Sequence, residues 1–161
     1  MVKIIAKTAI FIVTAIAACG TYGIAQAEAF KDKGGRVVFV PTSIEDAKQA
    51  DGSVVRKVSS TGISIADLPF PFDYMKGQCT GTLLIAADGK PGRSRGICEV
   101  LSSKGDRAAY TYIGDASGGR YLWVDGAGAY AGIKGEGTYK VKVVMPGGGA
   151  VTEWTGTWQL D

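Results

Sequence analysis

From residue 78 onward the chain repeats one pattern, in which short runs rich in β-branched and aromatic residues alternate with glycine-containing segments. Such runs, bounded by Gly, Asp and Pro, predict β-strands, and their regular spacing predicts an antiparallel sandwich or barrel. With two earlier runs, the eight predicted strands are residues 36–40, 54–65, 78–87, 93–101, 107–113, 120–124, 134–144 and 151–160. Eight strands favour a closed all-β barrel whose interior is filled by side chains or holds one small ligand.

Two segments before residue 78 depart from the strand pattern. Ser43 and Asp46 match a capping box, so one short helix is predicted over residues 44–50, ending at Asp51-Gly52. Residues 68–72 contain two prolines, which remove donors from a sheet ladder, and this segment is predicted to be an extended edge or cover.

The N-terminus has the pattern of an export signal. A basic start is followed by an apolar run over residues 8–18 and by Ala25-Gln26-Ala27, a small-x-small cleavage site. The apolar run is too short to cross a bilayer, which needs about 20 residues of helix. We therefore expect a signal peptide at residues 1–27, a single β-barrel domain at residues 28–161 and a periplasmic or extracellular location. Residues 16–19 also resemble a lipobox, so lipidation of Cys19 and anchoring to a membrane is the alternative.

Two cysteines remain after the expected cleavage, Cys79 and Cys98. In an exported protein such a pair most often forms one disulfide, although two unpaired buried thiols are also possible. The midpoint of the pair falls at the start of the turn at residues 88–92, so a hairpin there places the two cysteines roughly opposite each other. A turn centred on Lys90 would offset them by about three residues, which a β-bulge could correct.

The charge pattern and the absence of histidine narrow the function classes. Without residues 1–27 the chain has 16 basic and 15 acidic residues, with no basic stripe, so we expect no nucleic-acid partner. No histidine occurs, which removes the commonest general base and metal ligand, and we expect no metal site. Gly126 begins a stretch that matches a relaxed dinucleotide fingerprint, but the residues after it are too glycine-rich for the required helix. We therefore expect no cofactor.

Alternation along the strands places several aromatic side chains on shared faces. Together they are predicted to line one face of the barrel, either as packed core or as a pocket for a small apolar or aromatic ligand. These candidate ligand-binding residues are Tyr110, Tyr112, Tyr121, Trp123, Trp154 and Trp158. Glu99 shares a face with Ile97 and Leu101, so it is the weak catalytic candidate if that face is interior.

One stretch resembles a known family. Asp125-Gly-Ala-Gly-Ala-Tyr-Ala-Gly-Ile-Lys-Gly-Glu-Gly-Thr-Tyr139 is similar to the glycine-rich block of allene oxide cyclase barrel-like proteins, which include dirigent proteins and exported bacterial proteins of unknown role. Cys79-Thr-Gly81, Gly96-Ile-Cys98 and Thr155-Gly-Thr-Trp158 also resemble the bacterial members. The resemblance, over about residues 75–160, implies an eight-stranded antiparallel barrel with an apolar cavity. It transfers no catalytic residue to this chain.

The sequence features together predict three possible functions. The first is an exported, noncatalytic barrel that binds a small apolar or aromatic molecule or a partner protein. The second is a structural or envelope-associated lipoprotein with a packed barrel. The third is a cofactor-free isomerase or cyclase acting on an apolar substrate inside the barrel. The sequence does not predict an oligomeric state.

Overall fold

The structure is a computed structural model that describes residues 28–161. Its eight antiparallel strands form a closed barrel in which each strand pairs with the next and β1 pairs with β8. The strands are β1 Glu28–Lys48, β2 Val54–Ile65, β3 Tyr74–Ile85, β4 Pro91–Ser102, β5 Arg107–Gly114, β6 Gly118–Gly126, β7 Lys134–Val144 and β8 Ala150–Leu160. The predicted all-β barrel is therefore confirmed. The expected signal peptide and Cys19 lie outside the described residues.

The short helix predicted over residues 44–50 is wrong. Strand β1 continues to Lys48, and Ile44 and Asp46 lie directly across from Val58 and Arg56 of β2. The Asp46 carboxylate accepts two hydrogen bonds from the Arg56 guanidinium, each 2.7 Å long, instead of capping a helix. Pairing of β1 with β2 outweighs the local helix propensity here. Asp51-Gly52, which was predicted to end the helix, lies in the turn between the two strands. Within the described chain, helical structure is one 3₁₀ turn, Gly128–Tyr130.

The predicted disulfide is confirmed. Cys79 and Cys98 are bonded to each other and lie directly opposite in the β3–β4 register. Ile85 lies across from Pro91, so the turn is centred on Asp88 and not on Lys90, and the register shifts by one residue between Leu83 and Ile85. Both cysteines are buried and face the barrel interior.

One end of the barrel is filled by large side chains, and we call it the closed end. Phe72, in the loop between β2 and β3, is fully buried, with its ring centroid 5.1 Å from that of Phe30 and 5.0 Å from that of Trp158. Tyr130 of the 3₁₀ turn packs 5.3 Å from Phe72 and donates a 2.6 Å hydrogen bond to the Pro71 carbonyl. The closed end consists of Phe30, Phe72, Tyr130, Ile133, Trp158 and Leu160.

The loops at this end explain two sequence features. The proline-containing segment at residues 68–72 lies outside the strands and covers the barrel, as its prolines predict. The glycine-rich stretch after β6 turns sharply at Gly128 and Gly132, whose φ angles of 66° and 68° favour glycine. These turns bring Tyr130 into the closed end. In the described residues no helix has the length and apolar character needed to cross a membrane.

Candidate functional site: the interior cavity

The other half of the barrel encloses a cavity of about 320 Å³, which we call the interior cavity. Its lining reaches Asp115 and Gly148, which lie in the β5–β6 and β7–β8 turns, so its mouth is at the end opposite the closed end. Trp123 and Trp154 form the floor. Both line the cavity, while Trp123 also packs 6.3 Å from Phe72 and Trp154 packs 5.7 Å from Trp158. Because ligand sites are typically concave and mostly apolar, this cavity is the candidate site.

Five of the six aromatic residues singled out from the sequence line the interior cavity. They are Tyr110, Tyr112, Tyr121, Trp123 and Trp154. Trp158 does not line it. Its side chain is 2% exposed and packs in the closed end, stacked 5.5 Å from Phe30. Alternation placed Trp158 correctly on the inward face, but alternation carries no information about height along the barrel axis.

Three of these rings form a compact group that we call the aromatic triad, Tyr110, Tyr121 and Trp123. Their centroids lie 5.2–6.0 Å apart in edge-to-face arrangements. This geometry is favourable because the positive ring edge of one meets the negative face of another. The triad comes from neighbouring strands, since Tyr110 lies across from Trp123 in the β5–β6 register. It therefore forms a preorganised aromatic wall.

The tyrosine hydroxyls of the cavity are hydrogen-bonding groups rather than bases. Burial raises the pKa of Tyr110 and Tyr121 far above the usual value, and the negative charge that a neighbouring tyrosinate would carry adds to the effect at Tyr110. Burial also raises the pKa of Tyr112 and Tyr139. All four phenols therefore stay protonated at neutral pH.

Among the described residues that line the cavity, Asp115 is the only charged one. Its Oδ1 accepts hydrogen bonds from the Ser117 hydroxyl and backbone N–H, at 2.6 and 2.8 Å, and these bonds lower the pKa of the carboxyl. Asp115 is exposed and ionised at the mouth. An ionised, hydrated carboxylate is a weak base, so it adds negative potential rather than a reactive group.

The structure places Glu99 on the outer face, which contradicts its candidacy as an interior carboxylate. Cys98 points into the barrel, so the alternating side chain of Glu99 points out. That side chain is 63% exposed and lies 3.8 Å from the Arg107 guanidinium. The sequence could not choose between the two faces because Ile97 and Leu101, which share the outer face with Glu99, are themselves apolar.

Sequence reasoning missed several cavity residues. Tyr139 continues the aromatic wall from β7, with its ring 6.3 Å from that of Tyr112, and its alternation with Lys140 is the sequence signal that could have identified it. The Cys79–Cys98 disulfide also lines the cavity, as do Phe39 and Met75. Within residues 28–161, no cluster of three or more His, Cys, Asp or Glu side chains has the arrangement of a metal site.

The comparisons with known proteins define the class of fold. No protein-family model matches the sequence, and no curated protein does. Among solved structures, the pterocarpan synthase dirigent protein GePTS1 is similar, with a TM-score of 0.52 at 12% identity, over 84% of this chain and 90% of that one. A second, the pterocarpan synthase dirigent protein PsPTS1, has a TM-score of 0.48 at 12% identity, over 84% of this chain and 96% of that one. The chain thus has a dirigent-like barrel fold, as the glycine-rich block implied.

Proposed function

We propose that the protein is an exported, noncatalytic β-barrel that binds a small apolar or aromatic molecule in its interior cavity. The observation that carries the proposal is the cavity itself, about 320 Å³ in volume and walled by the aromatic triad. A barrel of eight strands can be filled entirely by side chains, and the closed end shows this chain doing so. The half that side chains do not fill is therefore a specific feature of the sequence. It argues against a packed, purely structural barrel.

The noncatalytic part of the proposal rests on the chemistry of the lining. Phenols with raised pKa values are protonated at neutral pH, so they neither accept protons nor attack as nucleophiles, and they are weaker proton donors than an exposed tyrosine. Asp115 is ionised and exposed, and Glu99 lies outside the barrel. An isomerase or cyclase would need a group positioned to move a proton, and the cavity wall offers hydrogen bonds and shape instead.

The proposed export has one structural support, the Cys79–Cys98 disulfide, since disulfides persist in oxidising compartments. Cleavage after Ala27 and lipidation of Cys19 lead to different products. The mass of the protein isolated from its own host separates them. A measured mass that matches a chain starting at Glu28 supports a free exported protein. A mass that includes a diacylglycerol on Cys19 supports a membrane-anchored one.

A cavity-filling variant tests the binding proposal. Gly77 lines the cavity, and a Cβ added there meets its nearest neighbour, a Val100 methyl, at an ordinary 3.5 Å. Gly77→Leu therefore introduces an isobutyl group into the cavity from a Cβ position that has no close contact. Thr80→Leu adds the same group to the exposed outer face of the same strand and is the matched control.

The assay is quenching of tryptophan fluorescence by acetylnaphthalene, a neutral aromatic probe, because Trp123 and Trp154 form the cavity floor. We expect saturable binding to the unmodified protein and to Thr80→Leu, and a loss of affinity of at least about 10-fold in Gly77→Leu. Equal affinities in all three proteins would refute binding in the cavity. No saturable binding of the probe to the unmodified protein would refute the proposal as a whole.

A further inference from the structure

One side of the outer barrel wall carries a continuous row of aliphatic side chains. Val143 of β7 lies across from Val151 of β8, Val151 lies across from Val38 of β1, and Val38 lies across from Ile63 of β2. Val151 precedes the buried Thr152, so it points outward, and its partners in the row share that face. Val38, Ile63 and Val143 are 42–51% exposed.

Two more aliphatic residues extend this row into a patch. Val40 and Ile65 follow two residues after Val38 and Ile63 on the same outer face, and they are 52% and 62% exposed. Single exposed aliphatic residues are ordinary, whereas contiguous apolar patches rimmed by polar residues mark interaction sites. We call these residues the aliphatic patch: Val38, Val40, Ile63, Ile65, Val143 and Val151.

The rim of the aliphatic patch is basic. Arg36 on β1, Lys76 on β3, and Lys140 and Lys142 on β7 are all exposed beside it. Among the described strand positions that flank the patch, one acidic residue occurs, Glu153, and it is shared by Arg36 at 3.2 Å and Lys142 at 3.1 Å. The rim therefore carries four positive charges and one negative charge.

The far wall of the barrel provides an internal comparison. Ile97 of β4 and Leu122 of β6 lie on either side of Thr111 in the sheet and are 46% and 49% exposed. Glu136 lies directly across from Leu122, and Glu99 follows two residues after Ile97 on the same face. Apolar residues on this wall are thus as exposed as those of the aliphatic patch, but acidic residues adjoin them.

The charge and composition of the patch favour one kind of partner. Two copies of the chain that met through this patch would bring like charges together, which is unfavourable. Protein interfaces depend on Trp, Tyr and Arg anchors that fill pockets, whereas the centre of this patch consists of Val and Ile on a convex wall. An anionic lipid surface offers negative charge and hydrocarbon together, and binding to it grows with apolar area and with nearby basic residues.

We propose that the aliphatic patch and its basic rim form a docking surface for an anionic lipid membrane. The Val and Ile side chains enter the boundary between headgroups and acyl chains, and the basic side chains contact the headgroup charges. Val143 lies near the end of β7, just before the β7–β8 turn, where Gly148 lines the mouth of the interior cavity. Docking therefore brings the mouth close to the lipid surface. The inference does not depend on the cavity binding a ligand.

The test is co-sedimentation of residues 28–161 with lipid vesicles. This part of the chain forms the complete closed barrel, so neither the apolar N-terminal run nor an acyl chain on Cys19 contributes. The vesicles contain phosphatidylcholine alone or an equal mixture of phosphatidylcholine and phosphatidylglycerol. Each basic residue near an anionic surface strengthens binding roughly 5-fold, so we expect binding to the mixed vesicles to be at least about 10-fold tighter.

Two charge variants test the rim. Lys76→Gln combined with Lys142→Gln should weaken binding to the mixed vesicles by roughly 10- to 30-fold. Arg95→Gln combined with Arg120→Gln removes the same charge from exposed positions of the far wall and is the matched control, with binding reduced less than about 3-fold. Equal losses in the two variants would show that net charge acts without the patch, and the inference would be wrong.

A second pair of variants tests the apolar contact. Val38→Ser combined with Ile63→Ser should weaken binding to the mixed vesicles, whereas Ile97→Ser combined with Leu122→Ser, at similar exposure, should not. A urea transition for each variant shows that it folds.

Three results would overturn the inference. The first is equal binding of the unmodified protein to both kinds of vesicle, or binding to neither. The second is binding to immobilised polyglutamate without binding to vesicles, which would indicate an acidic protein partner. The third is an oligomer that Val38→Ser combined with Ile63→Ser dissociates, which would show that the patch is covered by a second copy.

Discussion

Phe72 is the residue on which the closed end most depends, and its replacement gives a sharp test of the packing. The side chain is fully buried although it lies in a loop, and its ring centroid is 5.0–6.3 Å from the rings of Phe30, Trp123, Tyr130 and Trp158. Truncating a buried phenylalanine to alanine removes its transfer free energy and leaves a cavity, at a cost of about 3–5 kcal/mol. We expect Phe72→Ala at the upper end of this range, because rigid aromatic neighbours on four sides cannot collapse into the space.

The control lies two residues away. Phe70 is half-buried, and the Lys104 ammonium lies 4.2 Å from its ring centroid. Phe70→Ala loses this cation–π contact and little packing, so we expect a loss of about 0.5–1 kcal/mol. Both substitutions change the same residue type in the same loop and leave the disulfide intact. The larger loss in Phe72→Ala is therefore the part that its deeper burial contributes, beyond the cation–π contact that Phe70→Ala removes.

The assay is equilibrium urea denaturation followed by tryptophan fluorescence, with thermal melting as a second measure. A loss of about 3–5 kcal/mol corresponds to a fall in Tm of roughly 10–20 °C for a chain of this size. If Phe72→Ala loses less than about 1.5 kcal/mol, or no more than Phe70→Ala, then Phe72 does not fill the barrel and the account of the closed end is refuted.

Three further experiments test the disulfide, a buried hydrogen bond and a buried hydroxyl. Replacing Cys79 and Cys98 together by alanine should lower the free energy of unfolding by about 3 kcal/mol in the chain-entropy model, and urea midpoints under nonreducing conditions would contradict this if they stayed unchanged. Tyr130→Phe removes the buried hydrogen bond to the Pro71 carbonyl and should cost about 1–2 kcal/mol by the same assay, whereas no measurable loss would contradict that bond. Burial raises the pKa of Tyr121, so the unfolded chain loses its phenolic proton first. The contribution of this hydroxyl to stability should therefore be constant below about pH 10 and fall above it, and an ultraviolet titration should show the tyrosines of the folded protein ionising at higher pH than those of the urea-unfolded protein. Coincident titration curves would refute the burial of this hydroxyl.

The barrel could be predicted from the sequence because each β-strand leaves a local pattern, in which the character of the side chains alternates with a period of two residues. Strand positions, and which side chains of a strand share a face, follow from alternation, and the register of β3 with β4 follows from the Cys79–Cys98 spacing. The predicted short helix failed because pairing with the next strand outweighs the local helix pattern. Ser43 and Asp46 satisfy a helix cap, yet Asp46 binds Arg56 across the hairpin. Alternation does not show on which side of the barrel wall Glu99 lies. It also does not show how far along the barrel axis Trp158 lies.

The location of the cavity follows from the sizes of the inward side chains around the barrel. At its level the aromatic triad from β5 and β6 faces small residues of β2 and β3, among them Ser60 and Gly77. At the closed end, by contrast, loop residues such as Phe72 and Tyr130 add large rings to the space that strand side chains leave. Strand residues such as Phe30 and Trp158 fill part of this end, and the loops complete the closure at this end only. The chain thus uses its most buried loop side chains to close one end beneath the floor formed by Trp123 and Trp154, and it leaves the space above that floor lined mainly by aromatic and small side chains.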